Sequence, residues 1–224
     1  SGMTEATNRP ERQLPMSSLA GWWPEDFDWQ GQLDGELQLQ LTERGPRGQL
    51  RLDAGQGQWR LREQGQWLAF PYQQLHLHSR LQPHGVEARL WLDGERLGQF
   101  ELDMQIDPRT ASKPLRGQYR LTGLDIGLAR PFVSGLEALE GRLQGQGRIT
   151  GSLLTPWVEG DLQLLDGRVA GAGWPLNLDA LAVQIQIVGQ QLEVQGNWRS
   201  GELGRGQFTG QLGWHEALRA RLAV

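Results

Sequence analysis

The sequence predicts an all-β fold: an elongated, strongly curved, mainly antiparallel sheet with an apolar inner face and at most one or two short helices. Three observations predict it. From Trp29 onward apolar and polar residues alternate almost without interruption, which is the period of a strand with one dry and one wet face. Turn dipeptides such as Gly45-Pro46, Asp93-Gly94 and Asp166-Gly167 punctuate the alternation. The chain also holds 31 glycines, many at apolar parity. A packed sandwich prefers branched aliphatics at such positions, whereas a sheet bent around a groove tolerates glycine.

The pattern is clearest from Leu139 to Val169. Leu139, Gly141, Leu143, Gly145, Gly147, Ile149 and Gly151 share one face, and Glu140, Arg142, Gln144, Gln146, Arg148 and Thr150 share the other. Pro156 interrupts the run, which resumes at Val158, Gly160, Leu162 and Leu164, and Asp166-Gly167 reads as a hairpin turn.

In chain order, Ser1-Gly2-Met3 reads as an expression scar, and residues 4–20 as a loose polar segment with one helical turn at Ser17 to Gly21. Leu33, Gly35, Leu37, Leu39 and Leu41 then form a face opposite Asp34, Glu36, Gln38 and Gln40. After a turn at Gly45-Pro46 come Leu50 and Leu52, then Trp59 and Leu61. Leu75, Leu77 and Leu81 oppose His76, His78 and Arg80, and Val86, Ala88, Leu90 and Leu92 follow. Phe100, Leu102, Met104 and Ile106 face away from Glu101, Asp103 and Gln105, and Gly117, Tyr119 and Leu121 continue.

Ala129 to Leu139 breaks the period. Phe132, Val133, Leu136 and Leu139 lie at helical spacing and Pro131 suits a first helical position, so a short helix is expected, weakened by Gly135. Beyond Val169, strands are read through Ile187, Val194, Phe208, Leu212 and Trp214. The alternation runs on through Leu218, Ala220, Leu222 and Val224, as in a segment of a longer protein. The total is roughly 16 strands of ordinary length.

The chain also repeats. WQGQLDGELQL at Trp29 parallels LEGRLQGQGRI at Leu139, Pro46 parallels Pro156, and GQFELDMQI at Gly98 parallels GQFTGQLGW at Gly206. The period is about 110 residues, longer than that of the familiar solenoids. The expected organisation is a loose segment at 1–21 and two tandem sheet units at 22–114 and 115–224.

Composition narrows the function classes. With 224 residues and a net charge of −4, no broad basic surface for nucleic acid is implied. The absence of cysteine excludes a disulfide scaffold and zinc–thiolate sites. No apolar run approaches the roughly 18–20 residues that a spanning helix needs.

Candidate chemistry is sparse. His76 and His78 share a strand face, as metal ligands can, but no third ligand stands nearby and a solvated pair is the simpler account. Glu25, Asp26 and Asp28 read as a solvated acidic turn. No catalytic triad order, phosphate loop or nucleophile stands out, so neither an enzyme nor a cofactor is expected. The 10 tryptophans suggest a sugar-stacking platform, but Trp59, Trp198 and Trp214 have the opposite parity to Trp91 and Trp157, which argues against one flat surface.

The motif Gly151, Leu153, Pro156, Val158 and Gly160, set between a G-x-L-x-G strand and L-x-L-x-x-G, resembles the C-terminal region of the TamB family. These are AsmA-like periplasmic proteins of the bridge-like lipid transfer class. The closest likeness runs from about Leu115 to Trp214. The resemblance implies a β-taco, a long sheet bent into a U with a hydrophobic interior. It implies a periplasmic protein anchored in the inner membrane through its full-length form. It also implies a role beside TamA, an outer-membrane barrel protein, in phospholipid transport between the membranes or in outer-membrane protein assembly.

Under that reading the groove is lined at apolar parity by Leu37, Leu39, Leu90, Leu102, Met104, Leu143, Ile149, Leu162, Leu164, Val183, Ile185, Ile187, Leu192, Val194, Phe208 and Leu212. Its expected cargo is phospholipid acyl chains. Each methylene shielded from water is worth ~0.8 kcal/mol, so a continuous apolar path replaces catalysis. Open sheet edges also predict edge-to-edge self-association. The competing readings are a non-catalytic carbohydrate-binding β-sandwich and a structural β-scaffold for protein assembly.

Overall fold

The computed structural model describes residues 14–15, 24–63, 65–171, 177–202, 204–213 and 219–223, the first and last of these segments by backbone alone. The expected helical turn at Ser17 to Gly21, and Trp214, Leu218 and Val224, lie outside the described residues.

One antiparallel sheet of 14 strands accounts for nearly all of the described chain. The strands are β1 (Leu14–Pro15), β2 (Phe27–Thr42), β3 (Gly45–Glu63), β4 (Gln66–Tyr72), β5 (Gln74–Gln82), β6 (Gly85–Gly94), β7 (Gly98–Ile106), β8 (Leu115–Asp125), β9 (Leu136–Gly151), β10 (Pro156–Gly171), β11 (Leu178–Val188), β12 (Gln191–Ser200), β13 (Gly204–Gly213) and β14 (Arg219–Ala223). Spatial order follows chain order from β1 to β14, except that β4 and β5 share the same flank of β3. Apart from β3 with β5, every pairing joins strands consecutive in the chain, the meander that short polar turns and alternating strands favour.

The sheet is open, curved and taco-like, and is not closed into a barrel. Among the described residues no second layer packs on it: the substantial contacts between elements join hydrogen-bonded neighbours, with a 3₁₀ helix against β9 and a small contact between β4 and β6. The groove-type sheet, rather than the two-layer sandwich, is the arrangement formed. Nor does the sheet break near residue 114, because β7 and β8 pair from Gln99↔Thr122 to Ile106↔Leu115.

Curvature has a visible origin. Register shifts fall between Gly31 and Leu33 on β2, Leu121 and Leu124 on β8, Leu165 and Arg168 on β10, and Asp179 and Ala182 on β11. β3 changes partner from β5 to β4 at the same level, between Ala54 and Gly57. The short strands β5, β6 and β7 begin or end there, at Gln74, Gly94 and Gly98. These irregularities line up into a crease across the sheet. Each inserted residue bends its strand and raises the local twist.

Burial follows the crease. One cluster gathers Ala54, Tyr72 and Leu92, with Trp29, Trp59 and Phe100 against it. A second gathers Leu164, Leu181 and Val183, with Leu143, Val194, Trp198 and Phe208 against it. Away from the crease most apolar side chains stay half-exposed.

Several sequence expectations are corrected here. Asp166-Gly167 is not a hairpin turn. β10 runs through it, and Asp166 takes up the extra residue of a bulge at φ 52°. The left-handed region costs most residues roughly 1–2 kcal/mol, and Asp less than most. Asp166→Val is therefore expected to lower unfolding stability by about 1–2 kcal/mol, and Asp166→Gly to leave it unchanged or higher. Urea unfolding checks this, and a cost-free valine would mean that the bulge is not needed.

The helix expected over Ala129 to Leu139 is absent. A 3₁₀ helix covers Ile126–Phe132, and Leu136 to Leu139 already belong to β9. Leu139 pairs with Val169 instead of closing a helical turn. Asp125 caps the 3₁₀ helix, accepting from the Gly127 N–H at 2.8 Å and from Arg96 Nε at 2.7 Å. Burial opposes ionisation of Asp125, but these hydrogen bonds outweigh it and hold the carboxyl below its usual range. At the far end of the helix Phe132 stacks on Phe70 of β4, with ring centroids 6.5 Å apart.

Smaller corrections concern the turns. The first hairpin turns at Glu43 and Arg44, and Gly45 and Pro46 already lie on β3, opposite Thr42 and Leu41. Leu50, Leu52, Trp59 and Leu61 all lie on β3, one 19-residue strand. Leu14 and Pro15, expected in a loose segment, pair with Leu33 and Gln32. Strands merged across bulges explain why 14 are present where the alternation suggested roughly 16.

Candidate functional site: a continuous apolar face

Register builds the face row by row. One row runs Leu52, Leu77, Leu90, Leu102, Tyr119, Gly147, Gly160, Ile187, Leu192 and Leu212, each directly opposite the next. Two residues along each strand, a second row runs Ala54, Leu75, Leu92, Phe100, Leu121, Gly145, Leu162, Ile185, Val194 and Gly210. On one flank, Leu37 pairs with Leu50, Met104 with Gly117, and Gly117 with Ile149. On the other, Leu143, Leu164, Val183, Gly196 and Phe208 form a fourth row.

All the residues expected at apolar parity therefore lie on this one face. Their exposure differs. Leu164 and Val183 sit in the crease at 8% and 9% exposure, while Leu37 and Leu39, at the outer end of β2, are 63% and 61% exposed. Leu90, Leu102, Met104, Leu143, Ile149, Leu162, Ile185, Ile187, Leu192, Val194, Phe208 and Leu212 are half-buried.

Several glycines on this face are not gaps, because a larger neighbour across the strands covers them. A Cβ at Gly196 would lie 2.3 Å from the Phe208 ring, and one at Gly206 would lie 2.5 Å from the Trp198 ring. Leu162 covers Gly145, Leu52 covers Gly35, and Met104 covers Gly117. Both tyrosines follow the same rule over two strands. Tyr72 lies over Gly57 and Gly31, and Tyr119 lies over Gly147 and Gly160. Missing side chains thus let long ones lie down, which levels the face. Sequence parity shows the glycines but not their covers, because the cover depends on register.

The two tyrosines differ in one respect. Trp29 Nε1 donates to the Tyr72 hydroxyl oxygen at 2.6 Å. The Tyr119 hydroxyl is buried without a hydrogen-bond partner, the one such side-chain group among the described residues. Burial raises the pKa of both phenols; the nearby Asp161 carboxylate adds to this for Tyr119, and the Trp29 hydrogen bond opposes it for Tyr72.

The opposite face is wet and paired. Directly opposed partners form ion pairs, among them Asp28–Arg60, Arg89–Asp103 at 2.8 Å and Arg148–Glu159 at 3.5 Å. Exposed pairs of this kind contribute only ~0.2–1 kcal/mol each. A concavity of about 740 Å³ on this face is lined by Glu101, Arg120, Arg148, Glu159, Asp161 and Gln186 among others. Charges and amides dominate its walls, with Tyr119, Ile187 and Val188 among them, which suits solvent better than an apolar ligand.

The other sequence candidates resolve individually. His76 pairs with Asp53 at 2.5 Å and stacks on Trp91. His78 lies between Arg51 and Arg89, an environment hostile to a cation. No group of three or more His, Cys, Asp or Glu gathers among the described residues. Asp28, expected in a loop, belongs to β2 and is engaged by Arg60. Among the described residues the tryptophans do not form a platform: Trp59 meets Trp29 edge-on, Trp198 covers Gly206 and Trp157 covers Gly189. No helix among the described residues is long and apolar enough to cross a membrane.

A sequence model described as TamB, N-terminal domain, matches residues 11–164. The C-terminal region expected from the motif at Gly151 to Gly160 is not what matches: the matched model is of the family's N-terminal domain. The match covers the expected unit 22–114 and runs into the unit 115–224 as far as Leu164 on β10. No curated protein and no solved structure matches the chain. With most of its length matched and an open, curved all-β sheet, the chain belongs to the TamB family, that of the translocation and assembly module.

Proposed function

We propose that this chain is a periplasmic groove segment on which phospholipid acyl chains move between the inner and outer membranes. The observation that carries the reading is a single-layer sheet whose apolar face is continuous across β3 to β13 and left half-exposed along most of its length. A soluble protein that leaves such a face uncovered needs an apolar partner for it. With strands about 4.8 Å apart, the ten strands that lie side by side from β3 to β13 extend the face roughly 45 Å across the sheet. Holding acyl chains there removes the ~0.8 kcal/mol per methylene that full exposure to water costs. The polar face and its ion pairs keep the outer side wet.

Family membership supports a place beside a TamA-type barrel of the outer membrane, in lipid delivery, barrel-protein assembly or both. It likewise supports AsmA-like kinship, inner-membrane anchoring of the full-length protein and a non-enzymatic role. The units 22–114 and 115–224 act as consecutive stretches of one path, and open sheet edges are where neighbouring copies of sheet add on. The carbohydrate-binding sandwich loses support, because neither a second layer nor a flat aromatic platform is present among the described residues.

The test places a photo-crosslinking side chain at Ile185 or at Gln186 in the full-length protein in cells. These neighbours are half-buried on the apolar face and exposed on the polar face. Lipid adducts are expected at Ile185 and not at Gln186. Equal capture at both positions sinks the groove reading.

A further inference from the structure

The Tyr119 hydroxyl is the starting point. It is sealed from solvent and has no hydrogen-bond partner. An orphaned buried donor is costly, and phenylalanine fills the same space without that cost. The chain uses phenylalanine elsewhere on this face, at Phe100 and Phe208. Its other tyrosine, Tyr72, has its hydroxyl engaged by Trp29. A hydroxyl kept at a cost in the middle of an apolar row marks a place where local folding rules give way to function.

We propose that Tyr119 is a binding residue of the apolar face, its hydroxyl donating a hydrogen bond to the ester carbonyl of an acyl lipid lying there. This rests on the lipid reading above. The ring lies on Gly147 and Gly160 and no hydrogen bond ties its hydroxyl down. Rotation about χ1 lifts it off the two glycines and turns the hydroxyl toward a ligand. Its row neighbours are Leu102 on one side and, past the two glycines, Ile187 on the other. An apolar surrounding of this kind accepts a neutral carbonyl and penalises a phosphate. The acceptor is therefore the ester at the head of the acyl chain rather than the headgroup. Burial, with Asp161 nearby, keeps the phenol protonated and so a donor.

The experiment titrates the purified protein by calorimetry with a short-chain diacyl phosphatidylcholine and with its dialkyl ether analogue, which lacks the carbonyls. The wild type is expected to bind the ester roughly two- to twelve-fold more tightly, the range that one net hydrogen bond supplies. Tyr119→Phe is expected to bind both lipids at the affinity of the ether, with a melting temperature at or above that of the wild type. If Tyr119→Phe keeps the ester preference, or the wild type has none, this assignment is overturned while the groove reading stands. If the wild type binds neither lipid, both fall. A melting temperature of Tyr119→Phe well below that of the wild type also overturns the assignment, because the hydroxyl would then hold structure rather than ligand.

Discussion

Val183→Arg is expected to destabilise the protein and not merely to block its groove. Val183 is 9% exposed, and it packs with Leu164 and Leu181, themselves 8% and 6% exposed, where bulges bend β10 and β11. A guanidinium there loses its water among the apolar side chains of Leu164, Leu181 and Ile185. The cost is on the order of 4 kcal/mol after partial escape of the long side chain toward solvent. For a chain of this length that is a fall in melting temperature of roughly 10 °C. Gln184→Arg, one residue away on the exposed face, is expected to stay within about 0.5 kcal/mol of the wild type. Thermal unfolding followed by circular dichroism checks both. A Val183→Arg protein that melts with the wild type would show that the crease is open groove and that its burial contributes little. Loss of stability at this site does not argue for a closed sandwich, because the packing around Val183 comes from neighbouring strands of the same sheet.

Alternation carries one bit per residue, inward or outward, and that bit was legible nearly everywhere. It places Leu90, Leu102, Ile185 and Val194 on the same face as Leu143 and Phe208 without any knowledge of pairing. It does not carry register, and register decides the rest. Asp166-Gly167 looks like a hairpin turn because the same dipeptide serves a turn and a bulge. Only the continuation of β10 to Gly171, opposite Leu136 of β9, separates the two. Phe132, Val133, Leu136 and Leu139 look helical because spacings of three and four also arise when a 3₁₀ turn runs into a strand. The crease was invisible for the same reason. It is a property of where irregularities on different strands fall beside one another, and each alone looks like noise. Hence the sequence distinguished the two faces but not the graded exposure along one of them, from Val183 in the crease to Leu37 at the rim.

Glycine is where sequence and register diverge most, and it supplies the second large expected effect. Gly147→Val is expected to cost about 3 kcal/mol, the upper range for overpacking a filled site. A Cβ at Gly147 would lie 2.2 Å from the Glu159 carbonyl oxygen and 2.5 Å from the Tyr119 hydroxyl. The first contact is backbone and cannot yield without opening the β9–β10 ladder at Gly147↔Gly160. The second lifts Tyr119 from its seat over Gly147 and Gly160. Gly55→Ala on β3 is the matched control, since nothing lies within 4 Å of its added carbon. It is expected to be neutral or to stabilise by up to ~1 kcal/mol, because a less flexible unfolded chain favours folding. Urea midpoints of the two variants measure the difference. The Tyr119→Ala background separates the two contacts: it removes the phenol and leaves the carbonyl. Gly147→Val should therefore lose part of its cost there and keep the rest. Equal tolerance of Gly147→Val and Gly55→Ala would mean that glycine on this face is only a hinge, and that the lying-down tyrosine is not what fills it.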